Sequence, residues 1–272
     1  MRFSACNEMF KDWEFGRVCE CLAEIGYDGV EIAPFTLAES VVDISTKRRA
    51  EIRSAAADSG LGIVGFHWLL LSPGGLYVNH PDQSIRETTL AYYHELIRCC
   101  AELGGAVMIN GSPKQRNVHE TLDYSQAWDY AIEFFNQVAP VAKECNVTVC
   151  IEPLAPTETD FINTAKEAIR FAEEVDGSHV KMMLDAKAMS SEEIAIPEII
   201  KNSAGWFRHV HANDPNLLGP GMGELDFAPL ATALDEVSYE GWVSIEPFDY
   251  SPGPELIARK SLAYLRETFA SA

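Results

Sequence analysis

Short apolar runs rich in β-branched residues alternate along this chain with longer stretches whose apolar residues recur every three or four positions. The runs predict strands over residues 2–6, 29–33, 62–67, 106–110, 147–152, 180–185, 207–212 and 242–246. Between them Val18, Leu22 and Ile25, and later Leu90, Tyr93, Ile97 and Cys100, lay out the apolar face of a helix. S/T-x-x-E boxes at Thr164 and Glu167 and at Ser190 and Glu193 predict helix starts, and Gly60, Gly104 and Gly177 predict helix ends. Strand and helix in strict alternation predict a parallel sheet. Eight such pairs, with no G-x-G-x-x-G after the first strand, favour an α/β fold closed as a single (β/α)8 TIM barrel over an open doubly wound sheet. The long connections 72–82 and 214–224 both follow strands, and in a barrel both overhang the C-terminal face.

Length agrees with that reading, because barrels of roughly 250 residues fold as one unit. A single domain over 1–272 is therefore expected. The net charge of −20 repels the phosphate backbone, which argues against nucleic acid as a partner. Seven cysteines, odd in number and without a C-x-x-C pair, predict reduced core thiols in a cytoplasmic protein. The opening MRFSACNEMF lacks the basic and apolar regions of a signal peptide. The longest mostly apolar run, 61–71, is interrupted by His67 and falls short of the roughly 20 residues a bilayer requires, so no membrane segment is expected.

Chemistry concentrates at four predicted strand ends. Glu152 in VCIEP, Asp185 in KMMLD, His211 in RHVHAND and Glu246 in VSIEP would stand on neighbouring strands around the barrel mouth and converge. A lone strand-ending carboxylate is as well explained as a cap or a partner of a surface base, but four in register on consecutive strands are not. Three carboxylates and an imidazole suit one divalent cation, Mn²⁺, Mg²⁺, Co²⁺ or Zn²⁺, and the carboxylates can also move protons. His209 shares the strand face of His211, either orienting it or filling the core. His67 and Trp68 end the third strand, the histidine as a core or mouth residue and the indole as an apolar wall for a sugar ring. Lys114, Arg116 and Lys187 are either solvated bases or holders of a substrate group. Gly219, Gly221 and Gly223 resemble a phosphate cradle only superficially, and with Asp226 as cap they shape a turn into the next helix.

At these residues the chain resembles the xylose-isomerase-like TIM-barrel superfamily, and within it the ketose 3-epimerases of the tagatose/allulose type. The resemblance spans the whole chain at the level of the barrel and is strongest over 147–248. It implies Glu152, Asp185, His211 and Glu246 as ligands of one divalent metal, foremost Mn²⁺. It implies Glu152 and Glu246 as the acid/base pair, working through a cis-enediolate of a carbohydrate substrate. Glu158, six residues after the first ligand, matches a glutamate that contacts substrate and the first catalytic glutamate, and a homodimer or homotetramer is the family expectation. Two departures stand out. The family's D-x-x-H-M reads Asp185-Ala-Lys-Ala-Met, so a substrate-binding histidine is replaced by Ala188 and Lys187 is new; the arginine expected after His211 is missing from the loop beginning at Asp214. The metal chemistry is untouched by these changes, whereas the sugar is left open. A dehydratase or lyase on a keto-sugar or keto-inositol uses the same first step. A phosphodiesterase resembling AP endonucleases would need further histidine ligands where Asn110 and Ala188 stand, and a non-catalytic sugar-binding barrel would not need an intact ligand set.

Overall fold

The computed structural model describes residues 1–175 and 177–271. Eight parallel strands close in sequence order: β1 (Arg2–Cys6), β2 (Gly29–Ile32), β3 (Gly62–Phe66), β4 (Val107–Asn110), β5 (Thr148–Ile151), β6 (Val180–Asp185), β7 (Phe207–Ala212) and β8 (Trp242–Ile245). The ring shuts where Arg2 pairs with Trp242 and Ser4 with Ser244. The (β/α)8 barrel read from the alternation is thus the observed fold, with Glu152 and Glu246 falling one residue past their strands.

Nine helices surround it among the described residues: α1 (Phe15–Ile25), α2 (Thr46–Asp58), α3 (Gln83–Leu103), α4 (Tyr124–Glu144), α5 (Ala165–Glu174), α6 (Ala186–Met189), α7 (Ile196–Asn202), α8 (Ala228–Glu236) and α9 (Pro254–Ala270). α5 starts on the expected box, Thr164 and Glu167 each accepting the other's backbone N–H. The second box starts nothing. Ser190 instead closes the single turn of α6, and α7 begins at Ile196, where a proline in its first turn presets the helical φ. Gly104 ends α3 in the left-handed conformation and Gly60 follows α2 in the same one, whereas α5 stops at Glu174, short of Gly177.

Side chains alternate across each strand with period two. Cys150 on β5 and Met183 on β6 pack with Val64, Val107 and Ile109, and Trp242 lies against them. Two residues further along the same face of β5 and β6 come Glu152 and Asp185, so this small apolar cluster lies beneath the mouth. The larger core fills the space between strands and helices; Phe66, Met108, Ile151 and Leu184 meet Tyr93, Phe135 and Phe171 there. All seven cysteines are free thiols. No helix among the described residues is long and apolar enough to cross a membrane.

Strand β3 tolerates no side chain at Gly65, where a Cβ would stand 1.8 Å from the Val107 carbonyl oxygen of the strand it pairs with. Backbone atoms cannot turn aside as a side chain can. Gly65→Ala is expected to cost about 3 kcal/mol or more, read as a lower denaturant midpoint at unchanged m-value. A variant within about 1 kcal/mol of the parent would refute this account of the β3–β4 contact.

Candidate active site

Glu152, Asp185, His211 and Glu246 meet at the C-terminal mouth, one donor atom from each lying within 4.8 Å of the others. Strand pairing puts Asp185 beside His211, while the N–H groups of Glu152 and Glu246 donate to the carbonyls of Asn110 and Ala212 on the neighbouring strands. All four side chains are buried, at 5%, 2%, 0% and 5% exposure. Their conformations are held from behind. Asp185 accepts the Ala188 N–H at 2.7 Å on Oδ1 and the Asn213 amide at 2.5 Å on Oδ2. His211 Nε2 lies 3.0 Å from Glu31 Oε1, and its Nδ1 faces Glu246 Oε2 at 2.9 Å and Glu152 Oε1 at 3.6 Å. Neither approach makes a hydrogen bond from Nδ1.

Crowding shows in the acidities. Burial raises the Glu246 carboxyl to about 7, an effect that His211 opposes and Glu152 reinforces. Asp185 rises to about 6, through burial and then the Glu152 charge. Glu31 is wholly buried, yet it is held well below the usual carboxylate range because the attraction of His209 and His211 outweighs desolvation. Ser244 donates to Glu31 at 2.5 Å. His209 Nε2 comes within 2.7 Å of Glu31 at angles outside hydrogen-bonding range, so that contact is electrostatic. Three buried carboxylates and one imidazole nitrogen form an oxygen-rich donor set that a divalent cation would satisfy and that no lysine or arginine among the described residues neutralises directly.

Over this cluster opens a pocket of about 340 Å³, solvent mouth included, lined by His67, Trp68, Ser112, Glu152, Leu154, Glu158, Glu246 and Phe248 among others. Trp68 and Phe248 stand edge to face with centroids 6.4 Å apart. Of the expected substrate contacts, His67, Trp68 and Glu158 line it. Lys187 reaches its edge, donating to Glu158 at 2.6 Å with its ammonium 5.1 Å from the Phe248 ring. Lys114 is exposed and lies outside the lining, on the turn after β4. Arg116 is buried instead, and donates to the backbone carbonyls of Glu152 at 2.6 Å and Asn110 at 3.3 Å. Burial lowers its pKa to about 10.

The sequence pattern of the xylose isomerase-like TIM barrels matches residues 19–268 of this chain. The chain belongs to that family. It is 30% identical over 245 residues to a D-psicose 3-epimerase of Ruminiclostridium cellulolyticum, covering 88% of this chain and 80% of that one. It is 26% identical over 274 residues to a 3-dehydro-D-guloside 4-epimerase of Escherichia coli, covering 98% and 99%. The solved D-psicose 3-epimerase of Clostridium cellulolyticum with D-tagatose superposes with a TM-score of 0.86 at 25% identity over 98% of each chain. These relatives make the chain an enzyme of the isomerase and epimerase class.

Within this family member, sequence reasoning passed over Glu31, Asn213 and Glu8. Glu31 is an acid in the middle of an apolar strand, which was the one available signal, and Asn213 sits two residues beyond His211. Glu8 gave no signal, because only the fold brings its Oε2 to 2.7 Å from His67 Nε2. The three glycines of the 214–224 loop face Ser261, Tyr264 and Asp214, and the cap of α8 is Phe227 in place of the expected Asp226, which stands one residue earlier and accepts the Ala228 N–H.

Two predictions follow from the geometry. Native Asp185 and Glu246 keep protons that the unfolded chain has lost above roughly pH 4, so the metal-free protein loses stability as pH rises through the native values of about 6 and about 7. His211, raised well above its ordinary value by Glu246 and Glu31 despite burial, contributes in the same direction. The Tm of EDTA-treated protein should fall by about 3 °C or more between pH 6 and pH 8, and a flat or rising Tm would contradict the crowding. A Cβ on Gly111 would lie 1.7 Å from Glu152 Oε2, the movable end of a side chain. Gly111→Ala should therefore weaken any uptake of an added divalent ion by about tenfold or more while leaving Tm within about 3 °C; unchanged affinity would show that Glu152 does not need its present position.

Proposed function

We propose that this chain is a divalent-metal-dependent sugar epimerase or isomerase that moves a proton on the carbon next to a carbonyl of a ketose or related keto-sugar. The observation that carries the reading is the convergence of Glu152, Asp185, His211 and Glu246 on one buried point at the pocket floor. Those four residues would hold the ion, with Mn²⁺ the first choice among Mn²⁺, Mg²⁺, Co²⁺ and Zn²⁺. When bound, such an ion supplies Lewis acidity toward the substrate oxygens and favours the enediolate charge.

The protein's own groups do the rest. Glu246, with its proton affinity raised toward neutrality by burial, is suited to give and take a proton near pH 7. Glu152 is its partner in the exchange, placed by the clamp of Arg116 on its carbonyl. Glu31 keeps His211 in the tautomer whose Nδ1 is free. Trp68, Leu154 and Phe248 give the sugar apolar walls and limit water, and Glu158 with its partner Lys187 offers a charged pair for hydroxyls. Among the described residues no lysine or arginine lines the pocket, and the Lys187 ammonium at its edge is already paired with Glu158, which supports an unphosphorylated substrate.

A second reading within the same chemistry is 4-epimerisation of a 3-keto-sugar. It is favoured by Ala188 and Lys187 standing where the ketose 3-epimerase pattern has its histidine motif, and by the end-to-end match to the E. coli 4-epimerase.

Metal analysis and isotope exchange test the proposal together. Purified protein should carry about one divalent ion per chain, lost in the Asp185→Ala His211→Ala variant. With Mn²⁺ in deuterated water it should exchange the hydrogen beside a ketose or keto-glycoside carbonyl, and Glu246→Gln should slow that exchange by about a hundredfold or more with the fold retained. A protein that takes up no divalent ion would refute the metal site. Full exchange in Glu246→Gln would remove that residue from the acid/base role, and loss of a leaving group in place of exchange would move the reaction to a lyase.

A further inference from the structure

Two aromatic residues decide how far the pocket extends. Trp68 follows β3 and Phe248 follows β8, and in the closed ring β1 and β2 lie between those strands. The two rings nonetheless meet edge to face, with centroids 6.4 Å apart. Walls that admit a carbon chain between them stand about 7 Å or more apart, twice an ordinary carbon contact, so this pair leaves no passage. The lining agrees. Among the described residues it is drawn from the connections after β3, β4, β5 and β8, and none comes from those after β1 and β2. The groove lined by Phe10, Trp13 and Phe35, which follow β1 and β2, shares no residue with the pocket. The pocket volume of about 340 Å³, mouth included, is at the small end for ligand sites.

The backbone under each ring is fixed. Trp68 has a φ of 52°, a left-handed conformation that is costly for a bulky residue and persists only where its neighbours impose it. Here they do. The His67 N–H donates to the Ile32 carbonyl at 3.1 Å, and the His67 ring is bound to Glu8. On the other side Leu69 and Leu70 are buried, and the Leu70 N–H donates to Ser112 Oγ at 3.3 Å. The Phe248 N–H donates to the Leu217 carbonyl at 2.8 Å, and the Lys187 ammonium stands 5.1 Å from the Phe248 ring.

We infer that Trp68 is a length-determining residue: with Phe248 it ends the pocket on the β1 and β2 side, so that the site takes tetruloses and pentuloses in preference to hexuloses. This rests on the proton-transfer reading, which holds the reacting carbon at Glu152 and Glu246 and leaves the rest of the chain to meet the aromatic bridge. The test compares deuterium uptake beside the carbonyl of D-erythrulose, a tetrulose, and of D-fructose, a hexulose. The proteins are Mn²⁺-loaded wild type, Trp68→Gly and Phe248→Ala. Glycine adopts the φ of residue 68 freely, so that substitution removes the ring and keeps the turn. The readout is the ratio of kcat/KM on D-fructose to that on D-erythrulose; comparing it between proteins cancels the different open-chain fractions of the two sugars. Both variants should raise the ratio by about tenfold or more. A smaller rise, or a loss on both sugars alike, would overturn the length limit. If no protein exchanges either sugar, the proton-transfer reading has failed, and saturation-transfer NMR with the same two sugars reads the wall alone. D-fructose binding gained in Trp68→Gly would then sustain the wall, and no gain would overturn it.

Discussion

Three carboxylates and an imidazole nitrogen share a buried volume a few ångströms across, and much of the mouth of this barrel is arranged around the cost of that crowding. Like charges at such range cannot all remain ionised without a cation, so protons are retained on Glu246 and Asp185. The same crowding would distort an unsupported rim. Support comes from behind: Asn213 and the Ala188 N–H pin Asp185, Arg116 pins the backbone at Glu152, and Glu31 pins His211. Glu31 can stay ionised in the barrel interior only because His209, His211 and Ser244 surround it. The four-residue cluster therefore depends on a second buried charge that does not line the pocket.

This layering explains what could be read before any coordinates. Strands announce themselves through short apolar runs, and a carboxylate or histidine closing such a run is visible because it breaks the pattern; Glu152, Asp185, His211 and Glu246 were legible for that reason. Glu31 broke the pattern as well, but from inside a strand, where its value depends on three histidines brought to it by β3 and β7. Arg116 looked like a solvated base because its partners are backbone carbonyls, which leave no mark in a sequence. The Ser190 box misled for a different reason. It has the composition of a helix start, but the chain had already used Ser190 to close α6, and the proline after Ile196 set the true start. Local signals were decisive where a single element satisfied them and failed where tertiary partners did.

The division between strands and loops also separates reaction from substrate. The clustered carboxylates and imidazole sit at strand ends, whose positions are fixed by barrel pairing and by the apolar cluster of Val64, Ile109, Cys150 and Met183 below. The groups that would touch the rest of a sugar, Trp68, Glu158, Lys187 and Phe248, stand on connections after β3, β5, β6 and β8, where exchange of one residue leaves the barrel unstrained. Lys187 illustrates the consequence. Where the family pattern has an imidazole this chain has the methyl group of Ala188, and the neighbouring Lys187 brings an ammonium already committed to Glu158. Such an exchange changes the pocket wall and leaves the four clustered strand-end residues as they were.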